Sequence, residues 1–404
     1  MNYFLFLTAV FSVLLLINSI FVTRSCISLL ERVVRSISFL FLVWSFLSLL
    51  LVLFERFNPS LVIYLTFFLA ALVYYWDKKL ARKSSASSTK NLRMDKGILA
   101  LLFFTVLMLP LIFERIEYID MTGDAGVYSI AAMHLSTEGK FTGKLEVWRN
   151  LNNELKEEYE KSNLHQYDPD QNKGIYMPGT YIERSEYKDY YFQFYPSWPI
   201  VLSLWGSIFG TMNQSYVMVL LYIITIFLFY FTLIRWRIRG NYALLASILL
   251  GSSPLLVYFT KYPTSELFLL SLFCFILYLL SFEGFFERLT AGLVCTLFCF
   301  SHVSSFLYLP MLILFAIYSH IYSKYKFSIF LFVSFLGGLV SLPYGYKISK
   351  QYLIDIYSSN FAIFIDSNNV FYIGIWIVAS CWSSGLVYSL FLLRRHRLLR
   401  GASE

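Results

Sequence analysis

The chain has 404 residues, 58% of them hydrophobic and only 14% charged. A soluble globular chain carries about 25% charged residues, so this composition excludes a water-soluble domain and reads as a polytopic membrane protein. The net charge of +8 does not mark a nucleic-acid partner; its distribution over the loops reports membrane orientation instead.

A spanning helix needs ~20 predominantly apolar residues. In chain order the first candidate spans are 3–22, 36–54 and 60–76, which make residues 1–76 a group of three leading helices. The first run lacks the basic start and small-residue cleavage site of a signal peptide and reads as a retained helix. Residues 77–96, "DKKLARKSSASSTKNLRMDK", are basic and Ser-rich, the composition of a flexible linker. The span 97–113 opens a larger module, 97–404. The only long hydrophilic segment follows, 114–196, with 15 acidic and 9 basic residues and hence a net charge of −6. The apolar run 197–210 is short, and "YPSWP" sets prolines on both sides of Trp198; it reads as a juxtamembrane or half-inserted helix. Spans 213–234, 242–259, 266–282, 289–301, 304–322, 327–346 and 370–393 complete the chain. The expected fold class is an all-α polytopic membrane protein, a bundle of about eleven helices with one large external loop containing juxtamembrane helices.

Lys and Arg mark cytoplasmic loops. Placing 77–96 in the cytoplasm also places "RSCISLLERVVR", "RWRIR", "SKYK" and "RRHRLLR" there. Twenty of 33 basic residues are then cytoplasmic, against 6 of 25 acids. One choice thus satisfies every basic loop. It puts the N-terminus outside, the C-terminus in the cytoplasm and 114–196 outside. The cysteines Cys26, Cys274, Cys295, Cys299 and Cys381 lie in or beside apolar runs. None has zinc-ligand context, and they read as helix-packing residues.

The external segment is not low-complexity. "GDAGVYSIAAMHL" (123–135) carries apolar positions at Val127, Ile130, Ala131 and Leu135, a helical stripe that Gly139 would end. "NELKEEYEKS" (153–162) is a charged, helix-forming stretch with a solvated face. "GIYMPGTYIERSEYKDYYFQFYPSWPI" returns the chain to the membrane through aromatics, residues at home in the interface for physical reasons alone.

The order of these pieces resembles the GT-C glycosyltransferases, integral-membrane enzymes that use polyprenyl- or dolichyl-phosphate sugars and include the protein mannosyltransferase-like families. The resemblance is carried by Asp124, Tyr128, Ala132, Leu135 and Gly139 after a spanning helix, by "FYPSWPIVLSLWGSIFG" (194–210), by "KYPTSELFLL" (261–270) and by "FSHVSSFLYLP" (300–310). It covers roughly residues 97–345. Three helices precede the matched region, and Ala125 follows Asp124 where many members have a second acid. The resemblance implies a GT-C-like transmembrane module in a bacterial inner (plasma) membrane. It implies transfer of a sugar from a polyprenyl-phosphate donor to a hydroxyl of a lipid, glycan or protein acceptor on the external face.

Such a reaction needs a base, because a hydroxyl is a poor nucleophile while protonated. Asp124 is the candidate catalytic residue; the competing role is capping the helix that follows, for which Asp is well suited. The departing lipid phosphate needs cationic partners. Lys261 and His302 stand where the resemblance puts them, with Arg184, Lys188 and Lys347 as further external cations. Lys261 also suits interfacial snorkelling, His302 neutral packing, and Glu266 a partnership with a helix dipole. Asp120, Tyr128, Lys261, Glu266, His302 and Arg184 form the candidate substrate-binding set. No metal-ligand spacing occurs; Asp120 and Asp124, four apart, could share a divalent cation. Two other classes compete: a transporter or flippase of lipid-linked sugars, which would place ionisable groups at mid-membrane, and a polysaccharide polymerase or ligase. The acids of this chain cluster outside the spans instead.

Overall fold

A computed structural model describes residues 2–19, 26, 28–81, 96–114, 123–144, 151–163, 175–177, 180–182, 189–192, 194–302, 314 and 328–361. They are mostly helical and divide into two compact units, 1–281 and 282–404. Nearly all of the predicted span 304–322 and the whole of 370–393 lie outside the described residues.

In the first unit, α1 (Tyr3–Ile17) starts at Asn2, whose side chain accepts the Leu5 N–H at 3.3 Å. The helix α2 (Leu29–Leu53) begins a full two turns ahead of the predicted start at 36. Ser28 accepts the Glu31 N–H at 3.1 Å, the spacing of a capping box. The charges of Glu31, Arg32 and Arg35 made this stretch read as loop. The fold absorbs two of them: Glu31 and Arg35 are buried. The next helix, α3 (Pro59–Ala81), is capped by Asn58, which accepts the Leu61 N–H at 3.1 Å. It too outruns its predicted end, because Asp77 is buried against Ser19 at the end of α1. Next comes α4 (Lys96–Phe113).

Segment 114–196 holds α5 (Gly123–Glu138), β1 (Thr142–Lys144), α6 (Asn153–Asn163), β2 (Ile175–Met177), β3 (Thr180–Ile182) and β4 (Asp189–Phe192). The strands form an antiparallel sheet in the order β1-β4-β3-β2, with Thr142 opposite Tyr191 and Tyr191 opposite Tyr181. The sequence reading had only helices here. Strands of three or four residues are too short to show a period of two, and their aromatics passed as interface residues. The sheet leans on α5 through rings: His134 lies 5.4 Å from Phe192, and Phe192 5.4 Å from Phe141. His134 Nε2 is 3.1 Å from the Thr142 carbonyl oxygen.

The chain continues with α7 (Ser197–Phe209), a 3₁₀ turn at Thr211–Tyr216 and α8 (Val217–Arg235). The predicted single span 242–259 is in fact two helices, α9 (Gly240–Gly251) and α10 (Pro254–Lys261), bent by 51°. Pro254 suits the first position of a helix, where its missing N–H costs nothing, but it cannot extend the one before. The unit ends with α11 (Glu266–Leu280). Among the described residues, four stretches, Leu29–Leu53, Pro59–Lys79, Lys96–Phe113 and Thr211–Arg235, are long and apolar enough to cross a membrane; the bent pair makes a fifth if it counts as one span.

The helix α8 organises this unit. At its middle, Thr225 and Ser271 of α11 share a hydrogen bond of 2.6 Å, polar glue of the kind used between helices in lipid. Before its N-terminus, the Gln214 amide donates to the Ser129 carbonyl of α5 at 3.3 Å. At its C-terminus, Arg235 Nε donates to Glu31 at 2.9 Å and the Tyr278 hydroxyl to the same oxygen at 2.8 Å. At 1.5 Å per residue the two ends of its 19 residues lie about 28 Å apart. The leading helices and the matched module therefore belong to one unit, tied at both levels. Gly139 stops α5 with φ +68°, and its carbonyl accepts the Phe57 N–H at 3.0 Å. A Cβ on Gly139 would stand 2.6 Å from the Phe57 carbonyl oxygen, so this glycine is required by conformation and by space.

The second unit holds α12 (Phe285–Cys299) and α13 (Ser328–Phe361). They pack closely because Gly292 faces Val333, where a Cβ would come within 2.8 Å, and Gly337 faces Thr296. The helix α13 runs well past its predicted end at 346 and carries Pro343 inside it. Cys274 of the first unit and Cys295 and Cys299 of the second are buried free thiols.

Candidate functional site

Three of the four stretches that carry the family resemblance meet at one end of the first unit. The first is α5. Its helical residues run from Gly123, whose φ is +75°, and Asp124 lies in the first turn. Asp124 is exposed, while Ala125, Val127, Tyr128, Ala131, Ala132 and Leu135 are buried. The small residues of the stripe let α5 lie closely against α7.

The second stretch is "FYPSWP". Phe194 stacks on the Tyr128 ring with centroids 4.4 Å apart. Pro196 precedes α7 and Pro199 falls in its first turn, where a missing N–H is tolerated. Between them Trp198 is wholly buried; its indole N–H donates to the Pro263 carbonyl at 2.9 Å and its ring stacks on Phe268 at 5.4 Å. The paired prolines start a helix so that this tryptophan reaches the third stretch.

That third stretch is "KYPTSE", the turn between α10 and α11. The Tyr128 hydroxyl donates to Ser265 Oγ at 3.2 Å, so Tyr128 is a buried strut joining α5 to the turn rather than an open substrate contact. Lys261 ends α10 and pairs with Glu114, the residue after α4. The Lys261 side chain keeps 19% exposure and that of Glu114 69%. The hydrogen bond and charge of Lys261 hold the Glu114 carboxyl below the usual carboxylate range. Glu266 is exposed in the first turn of α11, a position favourable to an acid through the helix dipole alone. Tyr262 lies between Lys261 and Pro263. A Cβ on Gly123 would stand 3.1 Å from its hydroxyl oxygen; burial, then the nearby Asp124 carboxylate, push its phenol above the ordinary value.

The site thus gathers an exposed carboxylate, a phenol, and an ammonium paired with a second carboxylate. Such a set can take a proton from a hydroxyl and receive an anionic leaving group. Tyr262 and Glu114 were not singled out from the sequence. Tyr262 stood inside a quoted motif but passed as one more interface aromatic. Glu114 was one of 15 acids in the loop, with nothing local to mark its partner.

His302 belongs to the second unit, following α12. Lys347 lies within α13 rather than at a helix end, as expected from the sequence. Asp120, Arg184 and Lys188 lie outside the described residues. Among the described residues no group of three or more His, Cys, Asp and Glu side chains is arranged to hold a metal ion. Comparisons with protein-family models, with characterised proteins and with solved structures return no match. The functional reading therefore rests on the residues of this chain.

Proposed function

We propose that the chain is a membrane glycosyltransferase of GT-C type with about eleven spans, its N-terminus outside and its C-terminus in the cytoplasm. It transfers a sugar from a polyprenyl-phosphate donor to a hydroxyl acceptor at the external face. The observation that carries this reading is the meeting of α5, "FYPSWP" and "KYPTSE" around one exposed carboxylate, Asp124, with Lys261 at the end of the same turn. Asp124 takes the acceptor O–H proton as the acceptor oxygen bonds to the anomeric carbon. The bond from that carbon to the phosphate oxygen breaks, and the electron pair leaves with the polyprenyl phosphate. Lys261 offers its ammonium to that phosphate, exchanging Glu114 for it.

The bent pair α9–α10 favours a transporter, since broken helices line mid-membrane sites in such proteins. Against this, residues 249–257 around the bend, "LLGSSPLLV", contain no ionisable side chain.

The test is Asp124→Asn in purified full-length protein reconstituted with polyprenyl-phosphate hexose donors and the cell's own lipid extract as acceptor. Asn keeps the shape and removes the proton affinity. Turnover should fall at least ~10²-fold at unchanged thermal midpoint. Transfer at the parental rate would remove the base and with it the main support for the reading.

A further inference from the structure

The break between α9 and α10 leaves carbonyls that need donors. The last four carbonyls of any helix lack partners within it, and in hydrocarbon no water supplies them. In α9 three are met at the break itself. The Ser252 N–H donates to Ile248 at 2.8 Å, the Ser253 N–H to Leu250 at 3.2 Å and the Ser252 hydroxyl to Leu249 at 3.4 Å. The fourth, Gly251, is met from α8, where the wholly buried Tyr222 donates its hydroxyl at 2.7 Å. A continuous helix would give Gly251 the Leu255 N–H instead.

The break is closely seated. A Cβ on Gly251 would stand 2.7 Å from Cε1 of Phe104 on α4 and 2.8 Å from Cδ1 of Ile226 on α8. Ten residues separate Gly251 from Lys261, and ten separate Phe104 from Glu114. At 1.5 Å per residue both stretches cover about 15 Å, and at their far end Lys261 pairs with Glu114. That meeting depends on the bend. Swinging the eight residues of α10 through 51° moves its end by about 10 Å, more than a lysine side chain can span.

From this geometry we propose that Tyr222 is a positioning residue for Lys261: by holding the Gly251 carbonyl, its hydroxyl keeps the helix broken and turns α10 so that the ammonium stands beside Glu114. This deepens the glycosyltransferase reading and rests on it, because at that place Lys261 offers its charge to the donor's phosphate. It also gives the break a role other than transport. A buried carbonyl left without a donor is costly, so removal of the hydroxyl drives Gly251 toward the Leu255 N–H and straightens the pair. Tyr222 does not touch the reacting atoms. It acts through the placement of Lys261.

The test needs no sugar substrate. The hydrogen bond and charge of Lys261 hold the Glu114 carboxyl below the usual range, so protonation of Glu114 reports whether the ammonium is in place. Carbodiimides react with protonated carboxyls, and the pH dependence of labelling at Glu114 is read by peptide mass spectrometry on the full-length protein in lipid nanodiscs. Lys261→Ala gives the midpoint of the carboxyl without its ammonium. Tyr222→Phe keeps the ring, removes the hydroxyl and should move the parental midpoint to higher pH, most of the way to that of Lys261→Ala. Thr225→Val removes another buried bond of α8, the one to Ser271. It controls for general loosening and should leave the Glu114 midpoint at its parental value. If Tyr222→Phe does not accumulate, the same change is made in a Pro254→Ala background, where a continuous helix can supply Gly251 with its partner; loss of the hydroxyl should raise the midpoint there too. A Glu114 midpoint indifferent to the hydroxyl overturns the proposal, as does an equal rise in Thr225→Val. These outcomes are separable from failure of the function itself: normal transfer by Asp124→Asn sinks the reading, whereas an inactive Asp124→Asn with an unmoved Glu114 midpoint in Tyr222→Phe sinks only the role of Tyr222.

Discussion

Two ion pairs sit near opposite ends of α8 and differ in every respect that matters. Near its C-terminus, Arg235 pairs with Glu31 at side-chain exposures of 14% and 1%, and Tyr278 adds a third bond to the same oxygen. Near its N-terminus, where the Phe113 ring lies 5.7 Å from Tyr216, Glu114 pairs with Lys261 while keeping 69% exposure. A buried pair has given up its hydration, so removing one partner strands the other. An exposed pair gives up little and is screened, so it is worth little to stability and is easily exchanged. The first arrangement suits a clasp that joins the leading helices to the rest of their unit. The second suits a cation that must release its carboxylate when a phosphate arrives.

The largest expected effect follows from the buried pair. Glu31→Gln removes the buried charge that Arg235 is paired with and should destabilise the protein by about 3–5 kcal/mol, read as a lower thermal midpoint in lipid nanodiscs. Transfer per folded molecule should stay normal. A variant as stable as the parent would mean that the clasp is not what joins α2 to α8 and α11.

At the exposed pair the balance reverses. Lys261→Ala should raise the donor KM by about tenfold, the scale of one charge-assisted contact to a phosphate, with almost no change in thermal midpoint. If stability falls and the KM holds, Lys261 is structural and the contrast between the two ends disappears.

The smallest effect belongs to Glu114→Gln, which removes the competing carboxylate and should lower the donor KM modestly. The pH dependence sharpens this. Lys261 depresses the carboxyl of Glu114, so the pair's contribution is present above the unfolded carboxyl's pKa and is lost as pH falls through the folded one. Acidification should therefore bring the parental donor affinity toward that of Glu114→Gln, while the variant's own affinity changes less. Identical pH profiles for the two proteins would show that Glu114 does not compete for Lys261.

Much of the architecture was legible in sequence because lipid enforces it. Long apolar runs had to become helices, since only helices satisfy their own backbone in hydrocarbon. Gly139 had to end α5, and "YPSWP" had to start a helix. The charged turn of α2 was hidden for a physical reason: Glu31 and Arg35 read as loop until partners far along the chain are known to bury them. The sheet was hidden as well, because its strands are shorter than any periodicity that would betray them.

The candidate site divides along the same line. The sequence alone singled out Asp124, Lys261 and the three stretches around them, because acids and cations beside apolar runs are conspicuous and their order is familiar. It could not decide between cap and base for Asp124, nor between strut and ligand contact for Tyr128. Those choices depend on which hydroxyl meets which N–H across the fold. Tertiary packing decided the second of them by burying Tyr128 and setting its hydroxyl against Ser265. Hydrogen bonds between distant segments leave no local pattern in the chain; they exist only once α7 has pinned the turn between α10 and α11 against α5.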